Sequence, residues 1–375
     1  MAASLSKLIV SDTDSSADML FATRFFAPDA FAFLQKEGLK RILVNILEVD
    51  RARKVARVDA VDSLADLEKK FRRDKNSPSP KYELLLLEWL KKNRVRVVEV
   101  PSDFPIGLAD YLRAHGVRLE VREGLFFPER EFKNAKELRA IQKAIKITEV
   151  GMQRGFDMLR ESKIRRDKKL EFRGSLLTAE ILRGEIDAAM LYLGGLPKDT
   201  IVACGKQACD PHERGSGVLR ANELIILDIF PRDTKSGYYG DLTRTVLRGR
   251  ASDAQRKLWE TCLAGQRMAL SAMKPGVSGK KIHDAITDFF TKEGYPTEIR
   301  KGRWQGFFHG TGHGLGLDLH ELPRFAATHF KEGQVMTVEP GIYIPGLGGV
   351  RHEDDVLVTK NGVRSLSKIE KPFEL

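Results

Sequence analysis

The spacing of apolar side chains divides the chain into two regimes. Over residues 1 to 128, short β-branched runs alternate with helical periodicities. Lys40–Leu47, Val55–Val61 and Arg94–Val100 predict strands, and Ser63–Phe71, Lys81–Lys92 and Pro105–His115 predict helices. Leu84, Leu85, Leu86, Leu87 and Leu90 give the middle helix a broad apolar face. Asp74–Pro80, DKNSPSP, predicts a surface loop. The alternation describes an α/β domain with no catalytic motif.

Phe127–Arg130 marks a junction, and the pattern divides the chain into domains at 1–128 and 129–375. Asn134, with Glu137 three residues on, has the form of a capping box opening a long helix. Leu138, Ile141, Ile145, Met152, Phe156 and Leu159 keep one apolar face along it. A second helix is expected over Leu176–Leu193. A strand at Thr200–Ala203 leads into the loop Cys204–Gly217, which carries His212. The apolar run Leu224–Leu227 reads as a buried strand and ends on Asp228. Turn formers fill Pro231–Gly237, and Tyr238–Leu247 reads as the returning strand, carrying Asp241. Helices at Ser252–Met273 and Ser278–Glu293 follow, then short strands and glycine-rich turns. Two helices, a hairpin, two helices and further strands have the order of an internal duplication.

Bulk composition narrows the class. A chain of 375 residues with 42% apolar and 31% charged residues describes a globular protein with room for two cores. No window approaches a membrane-spanning length of uncharged residues. The start MAASLSKLIVSDTDSSADML lacks a long apolar core behind basic residues, so no signal peptide and a cytoplasmic location are expected. Cys204, Cys209 and Cys262 form an odd set without metal-finger spacing, which fits a reducing compartment. The net charge of +11 is partly concentrated in Lys163–Arg173, KIRRDKKLEFR. No zinc-finger, RNA-recognition or helix-turn-helix signature accompanies that run, so it reads as solvated surface, with neither nucleic acid nor membrane as a partner. Asp12, Asp14 and Asp18 read as turn and cap residues.

The chemistry sits in four stretches. Asp228 and Asp241 are carried by the two strands of the hairpin. A carboxylate at the end of an apolar strand is costly unless paired, and two facing carboxylates drive one to protonate. A divalent cation removes both problems. The second stretch is HGTGHGLGLDLH, His309–His320, where glycines let backbone approach a ligand closely. In the third, Thr337–Tyr343, Glu339 ends an apolar strand before Pro340-Gly341. In the fourth, Gly349–Val358, Glu353 precedes another apolar run. Four carboxylates and one histidine balance two divalent cations. Oxygen donors with one imidazole suit Mn²⁺, Co²⁺, Fe²⁺ or Zn²⁺, and paired metals of this kind equip a protein for amide hydrolysis.

These stretches, in this order, resemble the pita-bread metallopeptidases: Xaa-Pro aminopeptidases, prolidases and methionine aminopeptidases. The resemblance covers Asn134–Leu375 and extends through DMLFATRFFAPDAF, Asp18–Phe31, to a creatinase-type N-terminal domain. It implies an α+β fold class: a C-terminal pita-bread catalytic domain behind an α/β N-terminal domain. It implies two divalent ions, Mn²⁺ or Co²⁺ ahead of Zn²⁺ or Fe²⁺, a peptide substrate and a homodimer. By motif, Asp228 would bind one metal, Asp241 and Glu353 would bridge both, and His313 and Glu339 would complete the other. Glu339 would also handle the proton of the attacking water. His212 and His320 would steady the substrate and pass a proton to the leaving nitrogen. His309, Arg324 and Arg351 would line the substrate site.

The chain departs from the family pattern twice. Asp228 and Asp241 are thirteen apart where eleven is usual, with Phe230 in place of a glycine. An even insertion preserves strand facing, so a longer turn is expected rather than a lost ligand. His352 stands where an apolar residue usually separates Arg351 from Glu353, either as a packed ring or as an added titrating group. Two other readings stay open within the fold: a hydrolase or lyase acting on a small zwitterion, and a binding module without catalysis. Arg324 points to a dipeptidase if it faces a substrate carboxylate, and is a surface arginine paired with Glu321 if it does not.

Overall fold

Six strands build one sheet in the first part of the chain, because alternate apolar residues on each strand have two faces to cover. Across the sheet they run Ala60–Ser63, Leu39–Val44, Phe31–Lys36, Ser6–Ser11, Val97–Pro101, Arg118–Arg122. The three strands from Ser6 to Val44 are antiparallel, and the outer ones join in parallel. Leu8, Val10, Leu34 and Leu43 pack with Leu85, Leu86, Trp89 and Leu90 of helix Tyr82–Lys92 on one face. Ile9, Phe33, Ile42 and Val44 pack with Met19, Phe25, Phe126 and Phe127 on the other. The structure, a computed structural model, describes residues 5–71 and 79–375, so most of the loop expected at Asp74–Pro80 lies outside the described residues. The chain divides into two units, Met1–Arg130 and Glu131–Leu375.

One expected strand in the first unit is corrected. Val55–Val61 straddles a boundary: Val49–Val55 is a helix and Ala60–Ser63 the strand. Val49 and Ala52, three apart, are the buried positions there, which is helical spacing, while Val55 is exposed. Strands Ser6–Ser11 and Phe31–Lys36 were not anticipated. Asp12 accepts hydrogen bonds from the Asp14 and Ser15 amides, and Asp18 pairs with Arg130 at 2.8 Å, so that acidic cluster does local work.

The second unit repeats the order helix, helix, sheet. Helices Ala135–Glu161 and Ala179–Leu191 precede a three-stranded sheet, Ile201–Cys204, Ile225–Ile229 and Leu242–Val246. Helices Asp253–Ala272 and Gly279–Lys292 precede a five-stranded sheet of Glu321–Arg324, His313–Gly314, Val335–Val338, Asp354–Thr359 and Gly362–Ser365. The Asn134 side chain accepts from the Lys136 and Glu137 amides, and Glu137 returns the bond, as the capping-box pattern predicts. Lys163–Arg173 forms an exposed hairpin laced by Arg165, Asp167, Lys169 and Glu171 ion pairs. No helix among the described residues is long and apolar enough to cross a membrane.

Two features fix the site strands. The long helix lies against the segment that enters Asp241. A Cβ on Gly240 would stand 2.6 Å from the Ile145 nitrogen. Tyr238 donates to Glu137 at 2.9 Å, and Lys143 pairs with Asp233 at 2.6 Å, on either side of that contact. On the opposite flank Arg244 is fully buried. It donates to the Glu353 carbonyl and to the Ile369 and Glu370 carbonyls, and pairs with Asp354 at 2.8 Å. The chain after Leu366 is thereby tied to the strand that carries the site. Because the Ile145 backbone cannot move aside without breaking its helix, Gly240→Ala is expected to cost about 1–3 kcal/mol of stability, the usual range for overpacking. Urea unfolding checks this, and an unchanged midpoint contradicts the close approach.

Candidate metal centre

Register brings the first two carboxylates together. Asp228 lies within strand Ile225–Ile229 and faces Thr243 across the sheet. Asp241 sits one residue before strand Leu242–Val246, two positions from Thr243. Period two therefore puts Asp228 and Asp241 on the same face. The returning strand starts at Leu242, later than the expected Tyr238; Tyr239 makes an isolated bridge to Arg232, and strand Arg232–Asp233 pairs on its other side with Gly195–Leu196.

Glycine places the histidine. A Cβ on Gly312 would stand 2.1 Å from the Thr337 carbonyl oxygen, so only glycine lets the two segments meet. His313 then donates its amide to Thr337 Oγ1 at 3.1 Å. Glu339 follows strand Val335–Val338, and its amide donates to the Thr311 carbonyl at 2.8 Å. Glu353 leaves strand Gly348–Arg351. Its amide donates to the Thr243 carbonyl at 3.1 Å, and its carboxylate accepts from Thr243 Oγ1 at 2.7 Å. Thr243 thus reaches from the first carboxylate strand to the last.

All ten candidate residues line one cavity of about 640 Å³: Asp228, Asp241, His313, Glu339, Glu353, His212, His320, His309, Arg324 and Arg351. One donor atom each from Asp241, His313 and Glu353 lies within 4.8 Å of the others, in a grouping that could hold a metal ion. His313 Nε2 is 3.4 Å from Glu339 Oε1 and 3.7 Å from Asp241 Oδ2. Asp228 Oδ2 accepts from Arg351 Nη2 at 2.6 Å, while its buried Oδ1 has no hydrogen-bond partner among the described residues. Arg351 also donates to the Tyr343 hydroxyl at 2.7 Å, and that hydroxyl meets His309 Nε2 at 2.9 Å.

Burial controls the protonation of this cluster. It pushes the Asp241 and Glu353 carboxyls well above their ordinary range, with the neighbouring carboxylates adding to the effect. It pushes Glu339 up to about 8 against the pull of Arg351. Burial holds the His313 imidazole neutral, with its pKa lowered to about 3. A neutral imidazole among carboxylate oxygens, one of them an unpaired buried Asp228 oxygen, is the donor set that a divalent cation fits. A cation there would both balance the charge and supply the missing partner.

The peripheral residues fall into place unevenly. His320 packs edge-on against His313 at 4.5 Å between ring centres, and His212 and His320 are both exposed at the cavity. Arg324 is exposed and makes no ion pair among the described residues. Glu321 pairs instead with the buried Lys133 at 2.8 Å, so the expected Arg324–Glu321 alternative does not form. His352 is a packed ring. It is fully buried, meets Trp259 at 4.7 Å, does not line the cavity and is held neutral by burial, with its pKa near about 3. Three further contributors were not foreseen: Thr243, Tyr343 and Asp355. Asp355 is fully buried and accepts the Asp241 amide at 2.9 Å. The aspartate doublet Asp354-Asp355 at the head of an apolar strand was its only signal in the sequence.

Comparisons with known proteins agree with this geometry. A model of metallopeptidase family M24 matches residues 139–360. The Xaa-Pro dipeptidase of Pyrococcus horikoshii is 28% identical over 309 residues, covering 80% of this chain and 80% of the relative. That of Pyrococcus furiosus is 33% identical over 251 residues, covering 64% of each. The solved X-Pro aminopeptidase of Thermotoga maritima superposes with a TM-score of 0.80 at 22% identity, covering 99% of this chain and 97% of that one. The family match implies divalent metal ions.

The buried groups predict how stability depends on pH when chelator keeps divalent cations away. Unfolding lets His309, His313 and His352, whose pKa values burial lowers from 6.5 to about 3, take up protons below about 6.5, but the raised Asp241, Glu339 and Glu353 carboxyls release theirs over the same range, so the two sets oppose each other up to pH 6.5. Above it Glu339, with its pKa raised to about 8, keeps a proton that the unfolded chain has released. The folded state then binds more protons, so stability falls as pH rises from about 6.5 to 8. Chelated protein should show Tm decreasing across that window, and saturating divalent cation should abolish the decrease. A rising Tm in the chelated sample contradicts the burial of these carboxyls.

Proposed function

This chain belongs to metallopeptidase family M24, and on that premise we propose that it hydrolyses the peptide bond preceding proline, acting as an Xaa-Pro dipeptidase. One observation carries the reading. The cavity that gathers four carboxylates and a neutral histidine also presents Arg324, an exposed guanidinium with no ion-pair partner among the described residues. A free guanidinium beside a hydrolytic centre matches a substrate carboxylate, which it takes in two parallel hydrogen bonds. A dipeptide carries that carboxylate on the proline itself.

In this reading Asp228, Asp241, His313, Glu339 and Glu353 would hold two divalent cations, Mn²⁺ or Co²⁺ ahead of Zn²⁺ or Fe²⁺. When bound, such cations would supply an acidified water and polarisation of the scissile carbonyl. Glu339 takes up the proton of the attacking water on its carboxylate. His320 and His212 face the leaving nitrogen and return a proton to it through the ring. Thr243 keeps the Glu353 carboxylate oriented, and Tyr343 keeps His309 and Arg351 in register at the wall. Residues 1–128 form the creatinase-type domain and 129–375 the catalytic domain of a cytoplasmic homodimer.

The assignment is tested with purified protein supplied with Mn²⁺, Co²⁺ or Zn²⁺. The panel holds Xaa-Pro dipeptides, Xaa-Pro-Yaa tripeptides, a Met-starting peptide and creatine. Xaa-Pro dipeptides should be the best substrates. Arg324→Ala should cost them about 1.5–3 kcal/mol in transition-state stabilisation, the usual worth of a hydrogen bond to a charged group, and cost tripeptides little. Tripeptides preferred by the wild type, or equal losses for both classes, would move the assignment to an Xaa-Pro aminopeptidase. Turnover confined to creatine would overturn the peptidase reading.

A further inference from the structure

Beside the cavity stands a hairpin that none of the roles above employs. Among the described residues, strands Glu298–Arg300 and Arg303–Gln305 pair only with each other. A two-stranded hairpin is marginal by itself, and like charges directly opposite weaken it further. Here Arg300 faces Arg303, with Lys301 in the turn between them. On the alternate face Ile299 is paired with Trp304, and the two are 60% and 54% exposed. Stability does not explain this arrangement, because an apolar cross-strand pair left in water gains little from folding.

The hairpin is nevertheless fixed in place against the catalytic wall. Gly306 exchanges two backbone hydrogen bonds with Tyr343, each 3.0 Å. Gln305 donates to Glu298 at 2.8 Å, and Thr297 Oγ1 donates to the Phe307 carbonyl at 2.8 Å. The Trp304 ring lies 6.5 Å from that of Phe308, and Phe308 packs on Tyr343 at 5.3 Å. Phe308 lines the metal cavity, together with Ile201 and Pro211. Apolar surface therefore leads from the cavity wall, over Phe308, to Trp304.

We propose that Trp304 is a specificity-determining residue. With Ile299 and Phe308 it forms a shelf for the side chain of the substrate residue on the amino side of the scissile bond. The inference rests on the Xaa-Pro reading and names its substrate class: dipeptides whose first residue is large and apolar. In an Xaa-Pro dipeptide that side chain is the only variable group, and Arg324 accounts for the carboxylate end. Phe308 is the part of the wall that continues outward, so a long side chain leaving the cavity along it reaches Trp304. Arg300, Lys301 and Arg303 on the same hairpin repel a cationic side chain, which sets Lys-Pro and Arg-Pro below Leu-Pro and Phe-Pro.

Two measurements test the shelf, one by turnover and one without it. The wild type should prefer Phe-Pro over Ala-Pro, and Trp304→Ala should reduce the ratio of their kcat/KM values about tenfold, mainly through KM, in line with the discrimination an apolar contact provides. Trp304→Phe should restore most of it. Of the chain's three tryptophans, Trp89 and Trp259 are buried, so acrylamide quenching of intrinsic fluorescence reports on Trp304. In chelator-treated protein, Phe-Pro should shield Trp304 from acrylamide and Ala-Pro should not. An unchanged ratio in Trp304→Ala together with equal shielding by the two dipeptides overturns the proposal. If no Xaa-Pro dipeptide is hydrolysed, the proposed function fails. The shelf is then judged by quenching alone, with shielding by Phe-Pro supporting it and no shielding refuting it.

Discussion

Mutual repulsion among Asp228, Asp241, Glu339 and Glu353 is the interaction around which the second unit is arranged. Burial raises the cost of each charge, and neighbouring carboxylates raise the cost of the next, so the group cannot be fully ionised in the protein alone. Arg351 offsets part of the charge at Asp228. The remainder calls for divalent cations, and in the proposed function the donors that would bind them are also the ones that would act on a peptide. In that reading, binding and catalysis are two consequences of one electrostatic problem.

A cluster that repels itself has to be held by the rest of the fold. Backbone bonds do much of that work: Glu339 to Thr311, Glu353 to Thr243, and Asp241 to the Asp355 side chain. Close approaches that exclude a Cβ, at Gly240 and Gly312, set the distance between segments. Arg244 spans the far side, joining the Glu353 carbonyl to the chain at Ile369 and Glu370. Trp259 meets His352 edge-on and stacks on Phe373, closing the same flank. Each of these restrains backbone rather than the reacting atoms, so the donor side chains stay free to respond to a cation.

The residues that would hold metal were legible because their chemistry conflicts with their surroundings. A carboxylate ending an apolar strand, or three histidines in a glycine-rich run, has no inexpensive structural explanation. Facing was legible too, since a thirteen-residue spacing preserves strand parity, and Asp228 and Asp241 do share a face. What escaped notice depends on partners distant in sequence. Asp355 looks like any acidic residue until the Asp241 amide is found 114 positions away. Tyr343 looks like strand filling until Arg351 and His309 converge on its hydroxyl. The Val55–Val61 strand failed because valines on a short helix and on a strand have the same composition, and only the burial of Val49 and Ala52 distinguishes them.

The central claim is that these donors bind divalent cations as a group, and counting bound metal tests it most directly. Chelated protein dialysed to equilibrium against Mn²⁺ or Co²⁺ at neutral pH should retain about two ions per chain, the number that balances four carboxylates in a paired-metal site. Asp241→Asn and Glu353→Gln, each removing a donor that the resemblance assigns to both ions, should lower the count for both ions together. Retention of no metal by correctly folded wild-type protein, or an undiminished count in both variants, would contradict the account.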